Sequence, residues 1–310
     1  MSERIHLNTL FALATTTVIA SICTGPAAAY HFNRIAPYGL IGNLLALPVI
    51  SAIVMPAALI GTLLMLLGLE QPVFQLMERG LEAVMIISDW TAALPGAKWI
   101  VPRHGPESAL LMAGGILWVS LILGPVRWLG LAAFALGMAL TMWAEHPDVI
   151  IERTGRNVAL RNEAGELVLA NPRRSRFATE RWLLADGDGT TPATAAGRQG
   201  FRCTESICIA TTKTKRIAYA DNNVEGKLTC PEADVLIASF PLRGACRMIA
   251  LRIDRFDVWR EGSHALYIEN GRIRVETARQ LRGDRPWVTK PQKRKPASRR
   301  ILSQTLSSGE

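Results

Sequence analysis

Long uncharged stretches dominate the first half of the chain. Leu7–Tyr30 carries no charged residue, and its length suits one helix across a bilayer core, which takes about 20 apolar residues. A cleaved secretory signal is equally compatible with Arg4, the apolar Leu10–Ile22 and the small residues Ala27–Ala29. The residues alone leave both interpretations open.

Ile35–Leu69 is also uncharged, but it is too long for one untilted span and too short for two with a turn. It contains Pro48 and Pro56, with Gly42 and Asn43 before them. A proline in a helix removes a backbone donor, and irregular backbone survives at membrane depth only where protein or a wet cavity covers it. We therefore expect a broken or re-entrant element that lines a pathway; a single kinked helix is the alternative.

Three further helices are predicted before residue 147. Val73–Leu94 is amphipathic and carries four charges, which favours an interfacial packing helix to which we assign no chemistry. Ser108–Gly124 and Trp128–Ala144 are uncharged and joined by a Gly-Pro turn, which predicts a helical hairpin. Ala133 and Gly137 offer a small surface for close helix approach. Residues 1–146 thus predict a membrane α-helical bundle of about four spans plus an interfacial helix.

Residues 147–290 have the pattern of a small, β-rich α+β soluble domain. One helix is expected at 174–185, and Asn270-Gly271 is a hairpin turn signal. Strands are expected at 148–152, 157–161, 167–170, 216–220, 234–239, 247–253, 265–269 and 272–276.

Charge separates the two parts. Of the 35 Lys and Arg residues and the 26 Asp and Glu residues, most lie after residue 146, where the net charge is strongly positive. A basic surface can neutralise phosphates without reading bases. Candidate nucleic-acid contacts are four clustered arginines, Arg173, Arg174, Arg176 and Arg181. Residues 291–310 are predicted to be a basic disordered tail.

The run AYHFNRIAPYGLIGNLLALP, from Ala29 to Pro48, is followed by Met55-Pro56. It resembles the closing part of the membrane region of the ComEC-type DNA-internalisation (competence) family, whose members are usually longer. This chain resembles the C-terminal portion only. The resemblance implies that residues 7–29 are a retained helix. It also implies a DNA pathway shaped by Gly42, Asn43, Pro48 and Pro56, with His31 and Arg34 at its mouth.

In longer members a metallo-β-lactamase-like domain follows the membrane region, and Pro147–Asn171 is faintly similar to its opening hairpin. The family's His-x-His-x-Asp-His cluster, which would hold two metal ions, is missing. Of the five histidines, only His264 lies within 147–290. We therefore expect a degenerate domain that is not an enzyme and holds no metal and no cofactor.

Four cysteines, Cys203, Cys208, Cys230 and Cys246, fall in this domain and could pair in three ways. The family's soluble parts are thought to meet DNA in the periplasm, where disulfides persist. The resemblance therefore favours disulfides over free thiols.

The resulting hypothesis is a non-enzymatic channel component that takes up single-stranded DNA across the inner membrane during natural transformation, with a periplasmic soluble domain. Its partners would be DNA bound without sequence specificity, the bilayer, and the missing N-terminal part of the family or other uptake proteins. A homo-oligomer is also compatible. The alternative is a membrane-anchored basic binding or scaffolding module without transport. A degenerate hydrolase is a third class.

Overall fold

The computed structural model describes residues 2–204, 207–221, 228–283 and 285–288, with side chains from residue 11 onward. The chain folds into two units. Unit 1 runs through residue 146 and also contains residues 176–194, whereas unit 2 contains residues 147–175 and the residues from 195 onward. The basic tail expected at 291–310 lies outside the described residues.

Unit 1 is built from apolar helices. They are α1 (Ser2–Phe32), α2 (Gly39–Val49), α3 (Met55–Leu64), α4 (Gln71–Ala93), α5 (Pro106–Leu121) and α6 (Trp128–Leu140). Three segments are long and apolar enough to cross a membrane: Phe11–Phe32, Gly39–Leu67 and Pro125–Trp143. α5 is apolar but has only 16 residues, or about 24 Å. Many large apolar side chains on these helices are exposed, as on a surface that meets lipid.

The prolines of Gly39–Leu67 do not break this segment, which we call the rod. α2 continues through a π-helical turn at Ile50–Val54 into α3 and then a short 3-10 turn. The N–H of Met55 bonds to the carbonyl of Ile50, so the backbone has already left the α-helical register when Pro56 is reached. Pro56 then lies in the first turn of α3, where its missing N–H costs little. The expected broken or re-entrant element is therefore wrong.

α4 packs alongside the rod and antiparallel to it. Three contact points join the two helices: Gly42 with Thr91, Ile53 with Gly80, and Gly61 with Phe74. From Gly42 to Gly61 along the rod, the contacted residues of α4 run in reverse order, from Thr91 to Phe74. The two helices are therefore antiparallel over the length of the rod. The predicted packing of α4 against another span is confirmed. The interfacial placement predicted for this helix, in the plane of the membrane surface, does not fit contacts that run along the whole rod.

α5 and α6 form the predicted helical hairpin. Their backbones approach so closely that a Cβ placed on Gly115 would lie 2.5 Å from the carbonyl oxygen of Gly130. A Cβ on Gly137 would lie 2.8 Å from the carbonyl oxygen of Ser108. The close-approach surface therefore includes the expected Gly137 and two further glycines, while Ala133 is half-buried.

One end of unit 1, here called the head end, is marked by a short strand pair. β1 (Arg34–Ile35) pairs antiparallel with β2 (Trp99–Ile100). α7 (Arg176–Ala185) attaches there, because the N–H of Arg103 donates to the carbonyl of Ala185 at 2.7 Å. The prediction placed residues 176–194 in the soluble domain. The structure corrects this, since these contacts join them to unit 1.

Unit 2 is a sandwich of two five-stranded sheets. The first, antiparallel sheet has the order β12-β11-β3-β4-β5 and the second has the order β10-β9-β8-β7-β6, with β9 parallel to both neighbours. Ile151 and Leu266 from the first sheet and Ile217 and Ile237 from the second are fully buried together in the core between them. The strands are β3 (Val149–Ile151), β4 (Val158–Arg161), β5 (Leu167–Leu169), β6 (Arg202–Cys203), β7 (Ile207–Thr212), β8 (Lys215–Ala220), β9 (Val235–Ala238), β10 (Leu251–Ile253), β11 (His264–Glu269) and β12 (Arg272–Thr277).

All eight predicted strands are present, with shifted ends. Asn270 and Gly271 both have positive φ, at 50° and 75°, as a two-residue hairpin turn requires. The elements that the pattern missed are β6, β7 and three short helices, α8 (Pro192–Ala196), α9 (Arg255–Glu261) and α10 (Ala278–Arg282).

Candidate nucleic-acid interface

An open cleft of about 760 Å³ lies in unit 2. Three segments line it: the β3–β4 turn, α9 with the turn that follows it, and α10. Each segment contributes two arginines, which are Arg153, Arg156, Arg255, Arg260, Arg279 and Arg282. The acids that line the cleft are Glu152 and Glu261. The lining therefore carries a clear excess of positive charge.

The β3–β4 turn is held rigidly. Gly155 has φ of 70° and donates its N–H to the carbonyl of Glu152 at 2.8 Å. The Glu152 carboxylate accepts the N–H of Thr154 at 2.8 Å, so this acid is satisfied within its own turn. The buried hydroxyl of Tyr219 donates to the carbonyl of Arg156 at 2.9 Å. Burial, followed by the nearby charge of Asp221, raises the pKa of Tyr219 well above its usual range, so the donor stays protonated.

Asn157 anchors the far side of this turn. It is fully buried, and its amide nitrogen donates to the carbonyls of Asn171 at 2.7 Å and Arg174 at 2.9 Å. Its amide oxygen accepts the N–H groups of Val158 and Asn171. Both ends of the turn are fixed, so Arg153 and Arg156 extend from a backbone that needs little reordering when a ligand binds.

α9 and α10 each begin with a capping box. Asp254 accepts the N–H of Phe256 at 2.7 Å, and its own N–H donates to Asp257 at 3.0 Å. The second oxygen of Asp254 accepts the N–H of Leu242 at 3.1 Å, which ties α9 to the core. Thr277 caps α10 in the same way, through Gln280. These caps set where the arginines of both helices lie.

Five of the six arginines have no carboxylate partner. Arg260 pairs with Asp257 at 2.6 Å, and Arg279 donates to the carbonyl of Arg260 at 3.3 Å. Among the residues that the structure describes, no carboxylate pairs with Arg153, Arg156, Arg255, Arg279 or Arg282. Guanidinium groups bind phosphate oxygens in a bidentate fork and stay charged at all physiological pH.

Aromatic surface adjoins these charges. Trp259 lines the cleft and is 53% exposed. Trp287 is 75% exposed, and the guanidinium of Arg285 lies 6.0 Å from its ring centre. Exposed rings beside arginines offer stacking platforms for unpaired bases. The cleft can therefore bind a flexible polyanion that carries flat rings.

The arginines expected to contact nucleic acid are divided between the units. Arg173 and Arg174 follow β5 in unit 2, whereas Arg176 and Arg181 lie on α7 in unit 1. Three of them have partners: Arg174 pairs with Asp221 at 3.0 Å, Arg176 with Glu180 at 2.8 Å, and Arg181 with the carbonyl of His31 at 3.1 Å. Three of the four are therefore engaged within their own unit. The sequence analysis missed the cleft arginines because they come from three distant segments. The closely spaced pairs Arg153/Arg156 and Arg279/Arg282 could have indicated local basic surfaces.

The expected pathway residues are spread along unit 1. His31 ends α1, and Arg34 lies in β1, so both are exposed at the head end. Gly42 contacts α4, while Asn43, Pro48 and Pro56 are exposed at successive levels of the rod. The structure does not bring these six residues to one place.

The cysteines of unit 2 form two bonds, Cys203–Cys208 and Cys230–Cys246. The first links directly opposed positions of β6 and β7. Cys23 is the free cysteine of the described residues. No group of three or more His, Cys, Asp or Glu side chains that could share a metal ion occurs within the described ranges.

These features define a membrane protein that carries a basic, disulfide-bonded sandwich. Residues 1–128 match the family model described as Competence protein, which confirms the resemblance to the ComEC-type family over that region. The match ends at the first residue of α6, before unit 2 begins. No curated protein and no solved structure matches the chain, so the likeness of unit 2 to a metallo-β-lactamase stays a prediction.

Proposed function

We propose that the chain is a non-enzymatic inner-membrane component of DNA uptake during natural transformation, and that its arginine cleft holds the phosphate backbone of incoming single-stranded DNA. The family match over residues 1–128 carries this proposal. The five arginines of the cleft without a carboxylate partner, beside Trp259, supply a surface for that substrate. Binding would be independent of sequence, because phosphate contacts carry no base information.

A periplasmic position for unit 2 is part of the proposal. Two disulfides in one small sandwich suit an oxidising compartment, since cytosolic thiols are kept reduced. Incoming DNA would then meet the cleft before it reaches the membrane. The further partners we propose are the bilayer and other uptake proteins, or a second copy of the chain.

DNA titration of the full-length protein tests the cleft. Labelled oligo-dT is titrated by fluorescence anisotropy at several salt concentrations. Arg153→Ala with Arg156→Ala should weaken binding about tenfold and reduce the slope of log K against log salt by about 1.4, which corresponds to two lost phosphate contacts on a single strand.

The matched control removes the same charge elsewhere. Arg202→Ala with Arg272→Ala takes two exposed arginines from β6 and β12, outside the cleft, and should change affinity less than about twofold. Equal weakening by both pairs would mean that net charge alone attracts DNA, and the cleft would lose its assigned role.

The second candidate is a membrane-anchored basic binding module without transport. The continuity of the rod favours it, because a backbone that stays hydrogen-bonded within its own helix needs no water-filled cavity to shelter it. Pro48→Ala with Pro56→Ala restores two N–H donors and should convert the π turn to α-helix, which would rotate α3 relative to α4. Transformation should be lost if the rod takes part in transport and retained if the rod only anchors. Pro37→Ala, outside the rod, is the control.

A further inference from the structure

The route of the chain through unit 1 requires a return that the three long spans do not supply. The rod starts at the head end, because β1 directly precedes it and the Tyr38 hydroxyl donates to the carbonyl of Pro95 at 2.9 Å. It ends at Leu67, at the opposite end. By Trp99 the chain is back at the head end, since β2 pairs with β1. α4 makes this return, so a rod that crosses a bilayer implies that α4 crosses it too.

The contacts of α4 fix its depth. Gly80 lies against Ile53, the midpoint of the rod, with a Cβ on Gly80 falling 3.1 Å from the Ile53 side chain. Glu82 is the central residue of the 23-residue α4, about 16 Å from either end. The hydrocarbon core is about 30 Å thick, so this carboxylate lies near its centre, too deep for its short side chain to reach the surface.

Glu82 belongs to a polar stripe on one face of α4. At 100° per residue, all members of the stripe lie within about 40° of the direction opposite Gly80. All are exposed, and within the described residues none of their side chains has a hydrogen-bond or ion-pair partner. The members are Gln71, Gln75, Glu78, Glu82 and Asp89.

We infer that α4 is a further membrane crossing and that its polar stripe faces a water-filled passage at bilayer depth. Ionisable side chains at the centre of a bilayer face a wet cavity or another protein group, because hydrocarbon solvates neither charge nor amide. The passage is thereby assigned to α4 and not to the prolines of the rod. The inference rests on the proposed membrane function of unit 1, and its test needs neither DNA nor transformation.

Sidedness is tested first, in full-length protein whose free thiol is removed by Cys23→Ser. Leu69→Cys and Lys98→Cys place single thiols at the two ends of α4, both at exposed positions. A membrane-impermeant maleimide added to intact cells should label one position, and the other only after permeabilisation. Labelling of both from the same side would overturn the inference.

Water access is tested next. A charged methanethiosulfonate reagent should modify Glu82→Cys at least about tenfold faster than Leu81→Cys, which has the same depth but lies off the stripe, since only a hydrated thiol ionises to the reactive thiolate. Gln75→Cys with Leu76→Cys is a second pair should the first fail to fold. Equal, slow rates in both pairs would overturn the wet passage.

The two proposals fail in different ways. A chain that alkaline washing strips from membranes would end the proposed membrane function together with this inference. A chain that stays embedded, but with residues 69 and 98 on the same side, would overturn the inference alone.

Discussion

The two units of this protein bury opposite kinds of residue. In unit 1 glycines such as Gly80, Gly115 and Gly137 allow close helix approach, while many leucines and isoleucines are exposed. In unit 2 the large apolar side chains, Ile151 and Ile237 among them, are fully buried. The reversal shows that one chain is adapted to two solvents. Lipid gives helices no hydrophobic reason to associate, so close backbone packing takes over, whereas water drives the sandwich together.

Emptying the core of the sandwich should have the largest effect. Ile237→Ala deletes buried methyl groups and leaves a cavity, which should lower the free energy of unfolding of unit 2 by about 2–5 kcal/mol. Amide hydrogen exchange of β9 in the full-length protein measures it. Met248→Ala, at a side chain that is 98% exposed, should stay within about 0.5 kcal/mol. Similar losses in both variants would mean that Ile237 is not a core residue.

Filling the contact between the bundle helices should have the next largest effect. Gly115→Leu forces a side chain against the backbone of α6 and should cost about 1–3 kcal/mol. The temperature at which the full-length protein in detergent loses monodispersity should fall. The neighbouring Gly114→Leu is the control, since a Cβ there meets nothing within 4 Å. If both leucines were tolerated equally, the close packing of α5 and α6 would be refuted.

Acidification should produce the smallest effect, confined to unit 2. Burial lowers the pKa of His264, whose ring nitrogen lies 2.8 Å from the carbonyl of Gly262. The unfolded chain then binds a proton more readily than the folded one. The folded state therefore keeps its full stability above the usual histidine pKa of about 6.5 and loses stability as the pH falls below it. Exchange of β11, measured relative to the intrinsic amide exchange rate at each pH, should accelerate between neutral and acidic pH, less so in His264→Gln. An equal acceleration in that variant would assign the pH dependence to other groups.

Local patterns predicted local structure well. β3, β4 and β5 follow from runs of buried residues, and the hairpin of β11 and β12 follows from Asn270-Gly271, because a two-residue turn depends only on its own φ angles. The hairpin of α5 and α6 follows from two apolar runs around a Gly-Pro pair.

Features set by tertiary packing were not readable in the same way. The π turn at Ile50–Val54 keeps the rod continuous, and a proline count cannot reveal it. The cleft gathers arginines from three segments that no sequence window spans. α7 has the composition of a soluble helix, yet it joins unit 1 because Arg103 and His31 offer it backbone partners.

The split membership of residues 176–194 governs how this molecule can be divided. The peptide passes between units three times, after residues 146, 175 and 194. A protease cut after residue 175 leaves each half with pieces of both units, and a cut after residue 146 or 194 leaves one such half. Expressing residues 147–290 by themselves would leave α7 without its backbone partners at Arg103 and His31. A soluble version of the sandwich therefore requires deletion of residues 176–194 and a short linker between residues 175 and 195.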